Sequence, residues 1–409
     1  MSTVADLTAI VTSAIDTLPP LESIDHGERV QLLDAVNKLR DTLERPLDTV
    51  MRIGYAQFVL VASRIALDMG VYDVFAASPL HELTIAELTR KVKGDEKFIS
   101  VFISLLGSST SGIWPTASSK KRALENLRAA PLAWALKKGT NMAENLVFLN
   151  EYLRISAKLH EFLKATDYRN PEDTYNSPFQ YAWNTTDHYF TWLGKRPEKQ
   201  ATFNAVMNSG RDWENNWFEF YPVVEKLTGG SYDPERVLVV DIGGNIGHEV
   251  VALRKKHFPD IPERLVLEDV PAVIDELPGP LGPNIDAISH SMFEPQPIKG
   301  ARAYYMRTVL HDWPDKQCLE ALGHIRDAMA PDSVLLMHEI LYPDRKLHGI
   351  EASSTTVLDF MMMEVFSSLE RTKAQWLDLI ERGGFKVNKV YKPETEFHFS
   401  LGLFEAVVA

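Results

Sequence analysis

One segment constrains this chain more than any other: Val237-Leu238-Val239-Val240-Asp241-Ile242-Gly243-Gly244-Asn245-Ile246-Gly247-His248. The dense apolar run 237–240 reads as a strand buried on both faces, and such strands belong to parallel sheets covered by helices. The strand feeds straight into glycines and then a helix. Open α/β sheets bind ligands at the C-terminal ends of their strands, and glycines let the backbone approach a bound nucleoside closely. The order Gly243, Gly244, Gly247 is not the G-x-G-x-x-G that seats a pyrophosphate, which argues against a nicotinamide or flavin dinucleotide.

The texture continues beyond that turn. Short apolar runs at 236–241, 264–267, 285–289, 303–310 and 333–340 alternate with helical stretches after Gly229-Gly230. The pattern predicts an α/β fold, a Rossmann-like open sheet with helices on both faces, over 229–409. The last two runs, 385–391 and 397–408, leave no room for a helix between them. A terminal antiparallel hairpin follows.

The N-terminal half is different. Between residue 21 and about residue 164 the apolar positions recur at helical spacing, as in Leu32, Leu33, Val36 and Leu39, and later Val59, Leu60, Ala66 and Leu67. Thr84 with Glu87 forms a capping box that predicts a helix over 85–92, and Gly94-Asp95 precedes another over 96–106. Short helices joined by tight turns point to a helix-turn-helix or winged-helix unit. The Ser, Thr and Gly-rich stretch 108–119, with Pro115, reads as a loop or wing. Aromatic residues crowd 141–227 and predict a packed layer able to floor an apolar pocket. The chain therefore divides into a helical, winged-helix-like unit (1–140), an aromatic connector that carries the acceptor pocket (141–228) and a ligand-binding α/β domain (229–409).

Charge narrows the use of the helical unit. Forty-three Lys and Arg stand against 56 Asp and Glu, a net charge of −13 that repels phosphate backbones. No nucleic-acid partner is expected; Lys120-Lys121-Arg122 is too short a basic run and reads as a solvated face. A structural, dimer-forming role remains. The single cysteine, Cys318, excludes an intrachain disulfide and thiolate-rich metal sites and fits a reducing compartment. Residues 1–20 lack the features of a secretory signal, and the apolar run at 58–62 is broken by Ser63-Arg64, so neither export nor a membrane span is expected. The expected location is cytoplasmic.

The chemistry gathers at strand ends. About 25 residues beyond the glycines the next strand ends in Leu267-Glu268-Asp269, where a carboxylate can accept both ribose hydroxyls of an adenosine-type ligand. Asp269 could also cap a helix start near Pro271, and the two roles can coexist.

The glycine turn, Glu268-Asp269-Val270-Pro271, Met306-Arg307-Thr308-Val309-Leu310-His311-Asp312-Trp313-Pro314-Asp315 and Glu370-Arg371-Thr372 stand in an order that resembles the S-adenosylmethionine-dependent O-methyltransferases, in the caffeate-type small-molecule branch. The stretch Ile65-Ala66-Leu67-Asp68-Met69-Gly70-Val71-Tyr72-Asp73 is similar to that family's helical dimerisation domain, which implies a homodimer. The resemblance implies that Gly243 and Gly244 meet the amino-acid end of S-adenosylmethionine, Asp269 its ribose, Ser291 and Met292 its adenine, and Arg307 with Trp313 the remaining edge. Ser291 stands where the family often has an acid, and Asn245 where it often has glycine. His311 matches the catalytic base, with Glu339 and Glu370 as its flanking carboxylates. Phe203 and Met207 lie in a stretch similar to the acceptor-contacting helix, and Met361 and Met362 belong to a methionine run suited to flat aromatic ligands. No metal is implied.

Elementary chemistry gives the same residues work. A phenol has a pKa near 10, so its neutral oxygen is a weak nucleophile, and a histidine of pKa about 6.5 can take its proton as attack begins. A carboxylate beside the imidazole fixes its tautomer and stabilises the imidazolium. His338, next to Glu339, points to the opposite strand face and receives no role. The expected activity is O-methylation of an aromatic or polyketide-like small molecule. A rival with the same fold and cofactor steers a pericyclic cyclisation without transferring methyl.

Overall fold

The computed structural model describes residues 3–409 apart from 79–81, 108–112, 116–126, 130, 210–215, 230–231, 348 and 394–399. The basic run 120–122 and most of the proposed wing lie outside the described residues.

The C-terminal half is built on a seven-stranded sheet. Its strands are β4 (Val237–Ile242), β5 (Arg264–Asp269), β6 (Ile285–Ser289), β7 (Ala303–Arg307), β8 (Val334–Ile340), β9 (Phe385–Tyr391) and β10 (Leu401–Val408), in the order β6-β5-β4-β7-β8-β10-β9. The first five run parallel; β10 lies antiparallel between β8 and β9. Every residue of β4 is buried, the acidic Asp241 included. One face packs on the helices Asp315–Arg326 and Lys373–Arg382 through Leu322, Ile325, Trp376 and Ile380. The other packs on the helix His248–His257 and on Trp217, Phe218 and Tyr221.

One strand ends earlier than the apolar pattern predicts. β7 stops at Arg307 rather than at 310, because Thr308 takes a left-handed φ of 47° and Leu310–Asp312 winds into a single 3-10 turn. That break turns the segment carrying His311 away from the sheet.

The N-terminal unit has its own core, with Tyr72, Phe75, Leu88, Ile99 and Ile103 at its centre. The capping box holds as read: Thr84 and Glu87 cap the helix Ile85–Lys91. Three short strands, β1 (Glu82–Leu83), β2 (Ile113–Pro115) and β3 (Leu127–Ala129), form an antiparallel sheet in the order β1-β3-β2 beside the helix Glu96–Gly107. The helices Val4–Asp16 and His26–Leu43 bury no residue, and Pro46–Asp68 buries only Ala62, Ser63, Ala66 and Leu67. By length and composition Pro46–Asp68 could cross a membrane, contrary to the reading of a run broken at Ser63-Arg64. That reading weighed one interruption, whereas an 18-residue window of the helix reaches a mean hydropathy of 1.4.

Between these units the helix Asn141–Ala165 packs against Pro178–Trp183, Tyr189–Gly194, Pro197–Ser209 and the helix Gly349–Phe366. Their shared core is aromatic: Tyr152, Phe179, Tyr189, Trp192 and Phe366 with Met362, and Phe148, Phe190, Phe203 and Met361 packed on it. The rings of Phe179 and Trp192 meet edge to face at 5.4 Å, as do Tyr189 and Phe366 at 5.3 Å. Each such pair contributes about 0.5–1.5 kcal/mol beyond burial of its area. Gly349–Phe366 comes from the C-terminal half of the chain, so this layer ties the connector to the sheet.

Candidate active site

The glycine turn is held by protein contacts. Gly243 and Gly247 have φ of 70° and 83°, where L side chains are strained. A Cβ on Gly244 would stand 2.5 Å from both Asp241 Oδ2 and Leu267 Cδ1, and one on Gly243 would stand 2.8 Å from Val309 Cγ2. The glycines thus let the turn lie flat on its neighbours, a requirement in addition to the close ligand approach read from the sequence. The Gly243 N–H donates to the Glu268 carbonyl at 2.8 Å, tying the end of β4 to that of β5.

Asp269 ends β5 beside this turn. It accepts from Asn245 N at 2.8 Å and Val270 N at 2.7 Å. Burial pushes its carboxyl up to about 6 against these two hydrogen bonds. Ser291 and Met292 follow β6 at the same edge, partly buried, and Ser291 Oγ accepts from Phe293 N at 3.3 Å. The ends of β4, β5 and β6 therefore bring Gly243, Gly244, Asp269, Ser291 and Met292 to one crevice. Asn245 adds a feature the sequence reading left without a role. Its Nδ2 donates to Asn204 Oδ1 at 3.3 Å, while its Oδ1 is buried without a hydrogen-bond partner among the described residues.

Two residues expected at the crevice's edge have other contacts. Arg307 is buried in an ion pair with Glu249, in the first turn of the helix that follows the glycines. Trp313 is buried with its indole stacked on the His188 ring, centroids 4.3 Å apart and planes 10° apart, and meets Phe293 edge-on at 4.6 Å. His188 caps the helix Tyr189–Gly194, and its Nε2 lies 3.0 Å from Thr174 Oγ1. Burial lowers its pKa to about 4, so this imidazole is neutral. Sequence carried no signal for His188, because its stacking partner is distant in the chain.

His311 lies on the 3-10 turn with its side chain buried. Nδ1 is 2.7 Å from Glu370 Oε1, and Nε2 is 3.6 Å from Asp312 Oδ1. The segment is clamped from behind: Ser368 Oγ donates to the carbonyls of His311 and Trp313 at 2.6 and 2.9 Å, and Arg371 donates to Trp313 O at 2.9 Å. Glu370 is itself placed by its N–H, which donates to Asp359 Oδ1 at 2.8 Å.

Glu339 behaves differently from Glu370. Its Oε1 accepts from the N–H groups of Val309 and Leu310 at 3.2 and 3.0 Å, and no hydrogen bond joins it to the imidazole. It shapes the segment that carries His311 and acts on the ring only through space. His338 points to the other face, 3.1 Å from the Tyr305 hydroxyl, as strand alternation predicts.

Burial disfavours a charge on His311, but Glu370, Asp312 and Glu339 outweigh it and raise its pKa to about 10. Burial raises both Asp312 and Glu339 to about 7. At neutral pH the ligand-free site holds an imidazolium among buried carboxylates. Asp312 was read only as part of a motif; what makes it a site residue is its place beside Nε2.

On the acceptor side, the Phe203 ring lies 5.8–6.2 Å from those of Phe148, Tyr189 and Phe190. Met362 is buried in the same layer and Met361 packs on it. Met207 is not brought in: it stands 38% exposed on the turn after Phe203. Among the described residues no cluster of three or more His, Cys, Asp or Glu side chains could hold a metal ion.

Known proteins share the fold and the family. The family model of the O-methyltransferase domain matches residues 166–386. A methyltransferase of Aspergillus candidus, cfoC, is 35% identical over 404 residues, covering 96% of this chain and 97% of that protein. Two solved structures superpose with a TM-score of 0.83 at 25% identity. One, a pericyclic reaction enzyme, covers 99% of this chain and 100% of its own. The other, LepI in complex with SAM, covers 100% of both.

Proposed function

From the premise that the chain belongs to the O-methyltransferase family and uses S-adenosylmethionine, we propose that it methylates a phenolic or enolic hydroxyl of an aromatic or polyketide-like small molecule, with His311 as the base. The observation that carries this reading is the junction of two strand ends. Val309 rests on Gly243, so the turn assigned to the cofactor and the segment bearing His311 are in contact.

The crevice fits the cofactor. Asn245 offers a buried Oδ1 that lacks a donor, and Asp269 offers oxygens that accept only one backbone N–H each. Gly243 and Gly244 would hold the amino-acid end, Asp269 the ribose, and Ser291 with Met292 the adenine. Arg307 and Trp313 support this site through Glu249 and Phe293. When bound, S-adenosylmethionine supplies a methyl group activated by its sulfonium.

The chain's own residues do the remaining work. Glu370 fixes the proton on Nδ1 and stabilises the charged ring, leaving Nε2 to take the proton of the acceptor hydroxyl. Glu339 holds Val309 and Leu310, and Ser368 and Arg371 hold the carbonyls, so the imidazole is aimed before the acceptor arrives. Phe203, Met361 and Met362 line the acceptor's apolar face.

Incubation with methyl-labelled S-adenosylmethionine tests the reading: labelled product is expected. One observation favours the rival. An imidazolium flanked by carboxylates is a hydrogen-bond donor able to polarise a carbonyl, as a cyclisation without methyl transfer requires. Converted acceptor without label would establish that rival.

The N-terminal half, read as a winged-helix-like dimerisation unit, leaves Val50, Ile53 and Phe58 more than half exposed. A second copy of the chain covers this face in the proposed homodimer. The proposed location is cytoplasmic.

A further inference from the structure

The side chain of Asn245 joins the cofactor turn to a helix of the acceptor layer. Asn245 takes a left-handed φ of 54°, a conformation that asparagine tolerates and glycine adopts freely. Its N–H donates to Asp269 Oδ2 at 2.8 Å and its Nδ2 to Asn204 Oδ1 at 3.3 Å. Asn204 stands on the helix Pro197–Ser209, directly after Phe203. Gln200, buried one turn earlier, donates from Nε2 to the same Asn204 Oδ1 at 2.9 Å. With two amide donors upon it, that oxygen sets which way round Asn245 is held, Nδ2 toward the helix and Oδ1 away from it.

Oδ1 is the open end of this chain of amides. It is buried and has no hydrogen-bond partner among the described residues. A buried acceptor left so is costly, and the side chain is complete only when a donor arrives. Of the donors on S-adenosylmethionine, the ribose hydroxyls fall to Asp269 and the adenine to Ser291 and Met292. The α-ammonium belongs to the end assigned to Gly243 and Gly244, next to Asn245 in the chain. It alone of these donors is charged, which suits a place beside the Asp269 carboxylate.

The helix at the other end of the link is tied to the connector. Thr202 Oγ1 donates to Glu144 Oε2 at 2.7 Å and Lys199 is ion-paired with Glu151, both acids on the helix Asn141–Ala165. Phe203 packs on the same helix, its ring 6.2 Å from that of Phe148. Asn204 thus hydrogen-bonds the acceptor layer to the turn that holds the methyl donor.

We propose that Asn245 Oδ1 accepts a hydrogen bond from the α-ammonium of bound S-adenosylmethionine, and that Asn204 is a positioning residue through which the same amide steadies the helix carrying Phe203. Binding of the donor thereby sets one wall of the acceptor site before the acceptor enters. The inference rests on the reading of this crevice as the cofactor site of a methyltransferase.

The test uses the full chain, S-adenosylhomocysteine and its deamino analogue, which keeps the carboxylate and lacks the ammonium. By calorimetry, Asn245→Gly should narrow the preference for S-adenosylhomocysteine over the analogue about tenfold, the size of one hydrogen bond to a charged group. Glycine keeps the backbone shape and the N–H to Asp269, and Asn204→Ala is a second variant that leaves Asn245 in place. Hydrogen exchange of residues 197–209 is followed with and without saturating S-adenosylhomocysteine, with residues 141–165 in the same samples as the reference for general stabilisation. In the unsubstituted chain the ligand should slow exchange over 197–209 beyond that reference, and each substitution should abolish the excess. An undiminished preference in Asn245→Gly, or excess protection that is absent from the unsubstituted chain or survives either substitution, overturns the proposal.

Incubation with methyl-labelled S-adenosylmethionine separates this inference from methyl transfer itself. Labelled product without any dependence of binding or exchange on Asn245 and Asn204 removes the link and leaves methyl transfer standing. The full set of dependences without label keeps the link, as part of a cofactor-binding cyclase, and removes methyl transfer.

Discussion

Glu370 and His311 form a buried pair in which a carboxylate oxygen lies 2.7 Å from Nδ1, while Nε2 faces Asp312 rather than solvent. The pair explains both the aim of the ring and its charge. A base must be neutral before it can accept a proton, so the carboxylates that orient His311 also delay its readiness.

His311→Ala should lower the rate by about 10²–10⁴, the usual contribution of a positioned acid or base, with S-adenosylmethionine affinity near normal by calorimetry. An unchanged rate removes His311 from the chemistry.

The pH profile follows from the raised pKa. With His311 pushed up to about 10, the neutral fraction and hence kcat/KM should climb throughout pH 7 to 9 rather than level off near the ordinary histidine value of about 6.5. Glu370→Gln removes the leading acidic influence on the ring, so the climb should shift to lower pH although the maximal rate falls. The same shift has a stability counterpart: a histidine charged more readily when folded stabilises the fold below about 6.5, and that contribution is lost as pH rises through about 10. A profile flat from pH 7 to 9 contradicts the assignment.

Glu339 separates shape from charge. Because one oxygen accepts from both Val309 and Leu310, Glu339→Gln can keep both bonds and should retain most activity. Glu339→Ala leaves two backbone donors unsatisfied and should destabilise the fold by about 1–3 kcal/mol per buried group, with a loss of kcat. Equal damage from both substitutions, in melting and in rate, would show that the charge matters more than the bonds.

Asp269 predicts a conflict between stability and binding. Its folded pKa, raised to about 6 from 3.8, means that the folded chain holds this proton more tightly than the unfolded one. The associated stability is present below pH 3.8 and is lost as pH rises through about 6. Asp269→Asn should therefore raise the melting temperature of the ligand-free protein at pH 7.5 while weakening S-adenosylmethionine binding. A lower melting temperature with unchanged binding would assign Asp269 to the fold alone.

The exposed apolar face can be tested by assembly. Val50→Asp with Ile53→Asp, on a helix face where both residues are 65% exposed, should convert a dimer to a monomer by light scattering. A wild-type protein that already runs as a monomer refutes the proposed homodimer.

Much of this was legible in the chain. The dense apolar run before Gly243 located the central strand to within one residue, Thr84 with Glu87 marked a helix start, and the spacing at 385–408 required the antiparallel end of the sheet. Local rules sufficed because burial period and capping are local. They did not reveal which oxygen of Glu339 meets which N–H, that Asp312 stands at Nε2, or that Trp313 stacks on His188. Those facts depend on loop directions set by tertiary packing, beginning with the left-handed Thr308. Met207 shows the same limit from the other side: its spacing from Phe203 placed it on the expected helix without saying that the layer ends one turn earlier.

The seat of Val309 on Gly243 has an evolutionary corollary. Bulk added at either residue would disturb donor and acceptor geometry together, so descendants of this chain gain new acceptors more readily by altering the aromatic lining than by reshaping this hinge point. Diversity should accumulate around Phe203 and Met361, and the junction should resist it.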